Sequence, residues 1–263
     1  MPDNPVPLHE RILGDGPPVV LLHGLFGSNE NLGAIARHLQ HSYRVHALDL
    51  RNHGRSPHTA EHRYTDLATD VLAHLDGIGS DPVHVVGHSM GGKAAMQLAL
   101  DAPARIASLT VIDIAPKPYP RHHDAILDAM KALADTPPSS RQEADARLSP
   151  AVPEPPIRQF LLKNLQRDAE GAYRLRLNIE TLYLRYDDIA TWDTRDTNCH
   201  APALFLVGGA SDYVTEADRS TITGYFPNAA ARVVPDASHW VHAEKPALVG
   251  GIIERFIATA GHA

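Results

Sequence analysis

Apolar residues fall along this chain in two alternating rhythms. Short unbroken runs such as Val19-Val20-Leu21-Leu22 and Val83-His84-Val85-Val86 give way to stretches where apolar positions return every three or four residues. An unbroken, β-branched run suits a strand buried on both faces, whereas the wider spacing lays one stripe along a helix. The pattern predicts strands over residues 19–22, 43–48, 83–86, 106–114, 202–207 and 231–234. It predicts helices over 31–41 (Leu32, Ile35, Ala36, Leu39), 64–78 (Leu67, Val71, Leu72, Leu75), 90–100 and 246–259. A shorter strand over 8–13 runs into Gly14-Asp15-Gly16-Pro17-Pro18, a turn signal that predicts a hairpin. The repeated strand-helix order implies a mostly parallel central sheet flanked by helices and joined by right-handed crossovers, an α/β fold.

From residue 116 to 196 the rhythm changes. This stretch is polar and helical, broken by Pro137-Pro138, Pro150, Pro153, Pro155 and Pro156, with no run suited to a buried strand. It reads as a helical cap inserted into a core made of residues 1–115 and 197–263. No internal repeat or low-complexity segment interrupts this plan.

Composition narrows the picture. The 263 residues, 43% hydrophobic, suffice for one large domain with an insertion. A net charge of -7 without any basic cluster argues against nucleic acid or an anionic membrane as partner. Cys199 is the sole cysteine, so an intramolecular disulfide and a multi-thiolate zinc site are both excluded. The proline-rich start, Met1 to Leu8, has no apolar core of a secretory signal, and no later run is long enough to span a bilayer. A soluble cytoplasmic protein is expected, with its oligomeric state open.

The candidate chemistry begins at Gly87-His88-Ser89-Met90-Gly91, which follows a strand and opens a helix. This is the G-x-S-x-G pattern, in which a sharp turn pushes the serine out of the sheet and the flanking glycines relieve the pinched backbone. Ser89 is therefore a candidate nucleophile. It needs a base, and position selects His239 from 17 histidines, because it follows the last strand, where open α/β sheets carry their sites. Two carboxylates sit at suitable strand ends, Asp113 and Asp212, and either could orient the imidazole. Backbone amides of Leu25, in the loop His23-Gly24-Leu25-Phe26-Gly27, and of Met90 form a natural oxyanion-binding pair.

Three rival motifs fail. Gly87 to Ala94 approaches a phosphate loop but has Ala94 where Ser or Thr must hold magnesium. His58-Thr59-Ala60-Glu61-His62 matches a zinc pattern that needs a helix, whereas its context predicts a solvated loop. Lys93 lies four residues after Ser89, so Ser-x-x-Lys spacing is absent.

Taken together, His23 to Gly27, Asp49-Leu50-Arg51-Asn52-His53-Gly54-Arg55-Ser56, Gly87 to Lys93, Ile112 to Pro116, Phe160-Leu161-Leu162-Lys163, Gly208 to Ser211 and His239 to Pro246 resemble the α/β-hydrolase superfamily. More narrowly they resemble small bacterial carboxylesterases of the YbfF type. The resemblance implies an α/β-hydrolase fold with a helical cap. It also implies Asp113 as the acid with Ser211 supporting the histidine, while the wider superfamily favours Asp212. The expected activity is hydrolysis of short- to medium-chain acyl esters, with thioesters also in reach, through an acyl-enzyme and without cofactor or metal. Substrate contacts are expected from His23, Phe26, His88, Phe160 and Trp240, with Leu25, Met90 and the segment near residues 160–165 around the pocket. The same triad also serves thioesterase, lactonase, C–C hydrolase and cofactor-free peroxidase reactions. A binding protein that has lost catalysis is the alternative of another class. Epoxide hydrolase and dehalogenase chemistry is disfavoured, since the elbow carries serine in place of aspartate.

Overall fold

The structure, a computed structural model, describes residues 4–79 and 81–260. Ser80, in the turn expected before the elbow strand, and the ends of the amino- and carboxyl-terminal stretches lie outside the described residues. The chain runs β1 (Glu10–Leu13), β2 (Pro18–Leu22), α1 (Gly33–Leu39), β3 (Arg44–Leu48), α2 (Tyr64–Ile78), β4 (Val83–His88), α3 (Met90–Asp101) and β5 (Ile106–Ile112). It continues through α4 (Asp124–Asp135), α5 (Arg141–Leu148), α6 (Pro155–Leu162), β6 (Leu165–Arg167), β7 (Tyr173–Leu175), α7 (Ile179–Leu184) and α8 (Tyr186–Ala190). β8 (Ala203–Gly208), α9 (Arg219–Tyr225), β9 (Ala229–Val234), α10 (Val241–Glu244) and α11 (Pro246–Ala260) complete it.

Seven strands form one sheet in the order β1-β3-β2-β4-β5-β8-β9, parallel except for β1. The unbroken apolar runs follow from this placement. In β2, Val19 and Leu21 enter the core shared with α1 and α11, while Val20 and Leu22 enter the core shared with α2 and α3. Each such fully buried Val or Leu side chain contributes about 1.5–3 kcal/mol relative to exposure, so neither face of the strand tolerates polarity. The α/β class and mostly parallel sheet agree with the sequence reading.

The expected β1-β2 hairpin does not form. β3 lies between the two strands, with Ile12 opposite His46 and Val20 opposite the same residue on the other side. A strand as apolar as β2 requires neighbours on both edges, and β1 can serve only the outside. The glycine turn instead crosses the end of β3: a Cβ on Gly14 would stand 2.3 Å from the Gln40 carbonyl oxygen. Gly14 also has φ +72°, which favours glycine.

Between β5 and β8 the chain adds helices and a two-stranded ribbon, β6-β7, but nothing to the main sheet. The sequence reading had no strand here; these are three residues each and turn at Gly171, φ +84°. Hydrogen bonds tie the segment to the core. The Tyr64 hydroxyl donates to the Ile189 carbonyl at 2.6 Å, Asn164 Nδ2 to the Phe26 carbonyl at 2.8 Å, and the Asn178 amide to the Asn52 carbonyl at 3.0 Å.

The loop at 51–57 is polar, yet Arg51, Asn52 and His53 are fully buried. Arg51 Nε and Nη2 donate to the Asp70 carboxylate at 2.6 and 2.7 Å. The nearby His58-to-His62 stretch also departs from expectation. His62 is buried, 3.2 Å from Asn52 Nδ2 and 3.4 Å from Met90 Sδ, so the loop is not solvated at that residue.

Candidate active site

The β4-α3 turn is as tight as its glycines imply. Ser89 has φ +52° and ψ −120°, a conformation that L-residues adopt only under constraint from their surroundings. A Cβ on Gly87 would lie 2.2 Å from the Gly91 carbonyl oxygen, and one on Gly91 would lie 2.4 Å from the carbonyl oxygens of Leu22 and His23. Neither position admits a side chain without moving backbone. The Ser89 amide donates to the Ile112 carbonyl at 3.1 Å, fixing the turn to the end of β5.

β5 ends there, sooner than expected, and one residue later Asp113 turns out of the strand with φ +52°. Its amide donates to the Leu206 carbonyl at 2.8 Å. The carboxylate is fully buried: Oδ1 accepts the Gly208 amide at 2.8 Å, and Oδ2 accepts the Ser211 hydroxyl. Oδ2 also lies 2.9 Å from His239 Nδ1, and His239 Nε2 lies 3.0 Å from Ser89 Oγ. Serine, imidazole and carboxylate thus stand in line. Asp212 is exposed and forms no hydrogen bond to His239 among the described residues. Ser211, expected beside the histidine, contacts the carboxylate instead.

The imidazole is held on two sides. Tyr213 stacks on the His239 ring, with centroids 3.7 Å apart and an interplanar angle of 18°. His88 Nε2 donates to the His239 carbonyl at 3.0 Å. Burial, then the neighbouring rings of His242 and His239, holds His88 well below the ordinary imidazole value. Burial likewise brings His242 to about 4. The rings packed around His239 are therefore neutral at neutral pH, and add no positive charge that would oppose its protonation.

A cavity of about 180 Å³ opens beside Ser89, His239 and Leu25. Phe26, His88, Phe160 and Trp240, four of the expected contacts, line it. Phe160 and Trp240 meet edge to face at 4.6 Å, one from the inserted segment and one from the core. A smaller chamber of about 40 Å³ shares Ser89 and Leu25 and is bounded by Met90, Lys93 and Tyr119. The expectation for His23 fails. It is buried, its Nδ1 donates to the Gly24 carbonyl at 2.8 Å and its Nε2 accepts the Leu50 amide at 3.0 Å, so both nitrogens are spent on shaping the loop.

The amides of Leu25 and Met90 have no acceptor among the described residues. Met90 is the first residue of α3, where no intrahelical acceptor exists. Gly24 permits the approach of its loop, since a Cβ there would lie 2.9 Å from His88 Nδ1. The sequence reading missed Tyr213, His123, His242 and Lys93. Lys93 and His242 lie inside stretches that carry the family resemblance but drew no role there; His123 has neither periodicity nor motif to mark it, and Tyr213 follows a strand end closely enough to have been suspected.

A serine whose proton can pass to an imidazole, itself anchored by a buried carboxylate, is equipped for acyl transfer. Comparison with known proteins agrees in kind. The chain belongs to the α/β-hydrolase family, whose fold model matches residues 17–246. It is 42% identical to Esterase YbfF of Escherichia coli over 91% of this chain and 92% of that protein. It is 41% identical to the sn-1-specific diacylglycerol lipase ABHD11 of Mus musculus over 97% and 86%. A solved structure titled marine microorganism esterase superposes with a TM-score of 0.92 at 36% identity, covering 95% of this chain and 99% of that one. No helix among the described residues is long and apolar enough to cross a membrane.

Proposed function

We propose that this protein is a carboxylesterase that hydrolyses short- to medium-chain acyl esters through an acyl-enzyme on Ser89. The observation that carries the proposal is the continuous line from Ser89 Oγ to His239 Nε2, 3.0 Å, and from His239 Nδ1 to Asp113 Oδ2, 2.9 Å. His239 takes the hydroxyl proton as Oγ attacks the ester carbonyl, and the Leu25 and Met90 amides hold the resulting oxyanion. The tetrahedral species collapses as His239 returns the proton to the departing alcohol. Water then repeats the sequence on the acyl-enzyme, losing its proton to His239 and releasing the acid. Asp113 stays ionised and fixes the imidazole with its Nδ1 proton toward the carboxylate.

The cavity size supports the chain-length assignment. At about 180 Å³ it compares with an apolar cavity of ~150 Å³ that accommodates one benzene ring. That is room for a group of roughly six carbons, well short of a long lipid tail. Residues 116–196 act as the cap and supply the wall that includes Phe160, while residues 1–115 and 197–263 carry the reacting groups. The related esterase and lipase support ester bonds as the target. A cytoplasmic setting is part of the proposal, supported by the single, buried and unpaired Cys199.

The test is turnover of p-nitrophenyl esters from acetate to palmitate. Butyrate and hexanoate are expected to be cleaved fastest, and Ser89→Ala is expected to abolish turnover while circular dichroism stays unchanged. Residual turnover near the wild-type rate in that variant would end the proposal.

A further inference from the structure

On the far edge of the sheet, three side chains converge that have no part in the serine site. Glu10 extends from β1, His46 from β3 and His74 from α2. The strand register produces the first pair: Glu10 lies opposite Leu48, so His46, two residues back, shares its face. His74 comes down on them from the helix that covers that face. Glu10 Oε2 lies 2.7 Å from His46 Nδ1 and 3.3 Å from His74 Nε2, and the three ligand atoms all lie within 4.8 Å of one another.

Protons alone leave this cluster unsatisfied. His74 Nε2 is buried and, despite its closeness to Glu10, forms no hydrogen bond. His46 as a whole is 3% exposed. An imidazole nitrogen placed this way normally finds a donor, an acceptor or an ion. A cation on these three atoms would give the His74 lone pair its missing partner. Tetrahedral bonds of about 2.0–2.1 Å set neighbouring ligands roughly 3.3 Å apart; the Glu10–His74 spacing of 3.3 Å already meets this, and the Glu10–His46 contact of 2.7 Å reaches it by lengthening about 0.6 Å as an ion enters. The cluster opens on a cleft of about 590 Å³ that also includes Pro5, Val6 and Arg44, leaving space for a water as a further ligand.

We propose that Glu10, His46 and His74 form a binding site for one divalent transition-metal ion, zinc being the best match to two imidazoles and a carboxylate. The ion clips the edge strand β1 and helix α2 to β3. Its function is structural, since none of its three ligands lines the cavity at Ser89.

The experiment uses tag-free full-length protein stripped with EDTA, titrated with ZnCl2 by calorimetry and with CoCl2 by visible absorption. Expected are one zinc per chain with saturable, submillimolar affinity, a cobalt d–d band, and a melting temperature several degrees higher with zinc than without it. Glu10→Gln and His74→Ala, at positions less buried than His46, are expected to weaken zinc binding at least about tenfold. Both should still fold and hydrolyse esters at the wild-type rate. Absence of saturable binding to the folded wild type would overturn the proposal. So would wild-type affinity in both variants, which would place the ion among the other histidines.

Discussion

On the sheet side of the cavity, Ser89, Asp113 and His239 are fixed by main chain: two positive φ angles, glycines without room for a Cβ, and strand ends bonded to one another. On the opposite side, Phe160, Ile157 and His123 belong to the inserted segment, which is held down by apolar packing against the core, by side-chain hydrogen bonds and by the main-chain bond from Asn178 to Asn52. Backbone constraint holds reacting atoms to within a few tenths of an ångström, as acyl transfer requires. A tethered wall can change shape without disturbing them. The difference implies that substitutions on the sheet side lower kcat, whereas those in the segment act on KM and chain-length preference.

After loss of Ser89 itself, the largest effect should come from the carboxylate. Asp113→Asn removes the charge that orients His239 and is expected to lower kcat by about 10³–10⁴-fold. Asp212→Asn, at an exposed position, should stay within about twofold of wild type. Stopped-flow or plate kinetics on p-nitrophenyl butyrate measure both, and comparable losses in the two variants would break the assignment of the acid to the sheet side.

How far this division could be read in the sequence depends on what fixes each residue. Gly87, Ser89 and Gly91 are adjacent in the chain, and their chemistry is local, so the elbow was legible. His239 followed from one rule about strand ends. The choice of acid was not legible from spacing, because Asp113 and Asp212 both follow strands; it turns on β5 stopping at Ile112 and on the 0% exposure of Asp113. The β1-β2 hairpin failed for a related reason, since which strand enters between two others is decided by long-range burial. Tyr213, Lys93 and Asn164 act through contacts 26 to 138 residues away in the chain, which no local pattern records.

Acid should loosen the sheet side next. His62 and His242 are fully buried, and burial brings them to about 3 and about 4. Unfolded, each would titrate near 6.5, so between pH 6.5 and 4 the unfolded chain binds protons that the native state refuses. Stability is therefore complete above pH 6.5 and is lost as pH falls, by up to about 1.4 kcal/mol per pH unit for each histidine. Urea midpoints at pH 7, 6, 5 and 4 check this. His62→Gln and His242→Gln should each flatten the slope, and a midpoint independent of pH would refute it.

A smaller effect is expected at the wall. Phe160→Ala removes an edge-to-face contact with Trp240 and one side of the cavity. Loss of such an aromatic contact with its buried area corresponds to about tenfold in KM for hexanoate esters, with kcat within about threefold. The preferred chain should lengthen. A fall in kcat with KM unchanged would mean that the segment takes part in the chemistry, and would erase the contrast between the two sides.

The last test concerns Lys93, where the two sides are joined. This residue lies one turn of α3 past Ser89, is 1% exposed, and its Nζ donates to the Ala190 carbonyl at 3.2 Å and the Thr191 carbonyl at 2.7 Å. Burial, followed by repulsion from Lys117, lowers it to about 7. Unfolded, it would titrate near 10.5, so between pH 7 and 10 the unfolded chain carries a proton that the native state has shed. Wild-type stability should therefore rise with pH across that window, by up to about 1.4 kcal/mol per unit. Lys93→Met, similar in length and without charge or donors, should lack this slope and raise KM about threefold by releasing the two carbonyls. Calorimetric melts of both proteins at pH 7, 8, 9 and 10 make the comparison. Parallel curves would mean that Lys93 remains charged throughout, and that the bond between elbow helix and inserted segment is an ammonium bond at every pH tested.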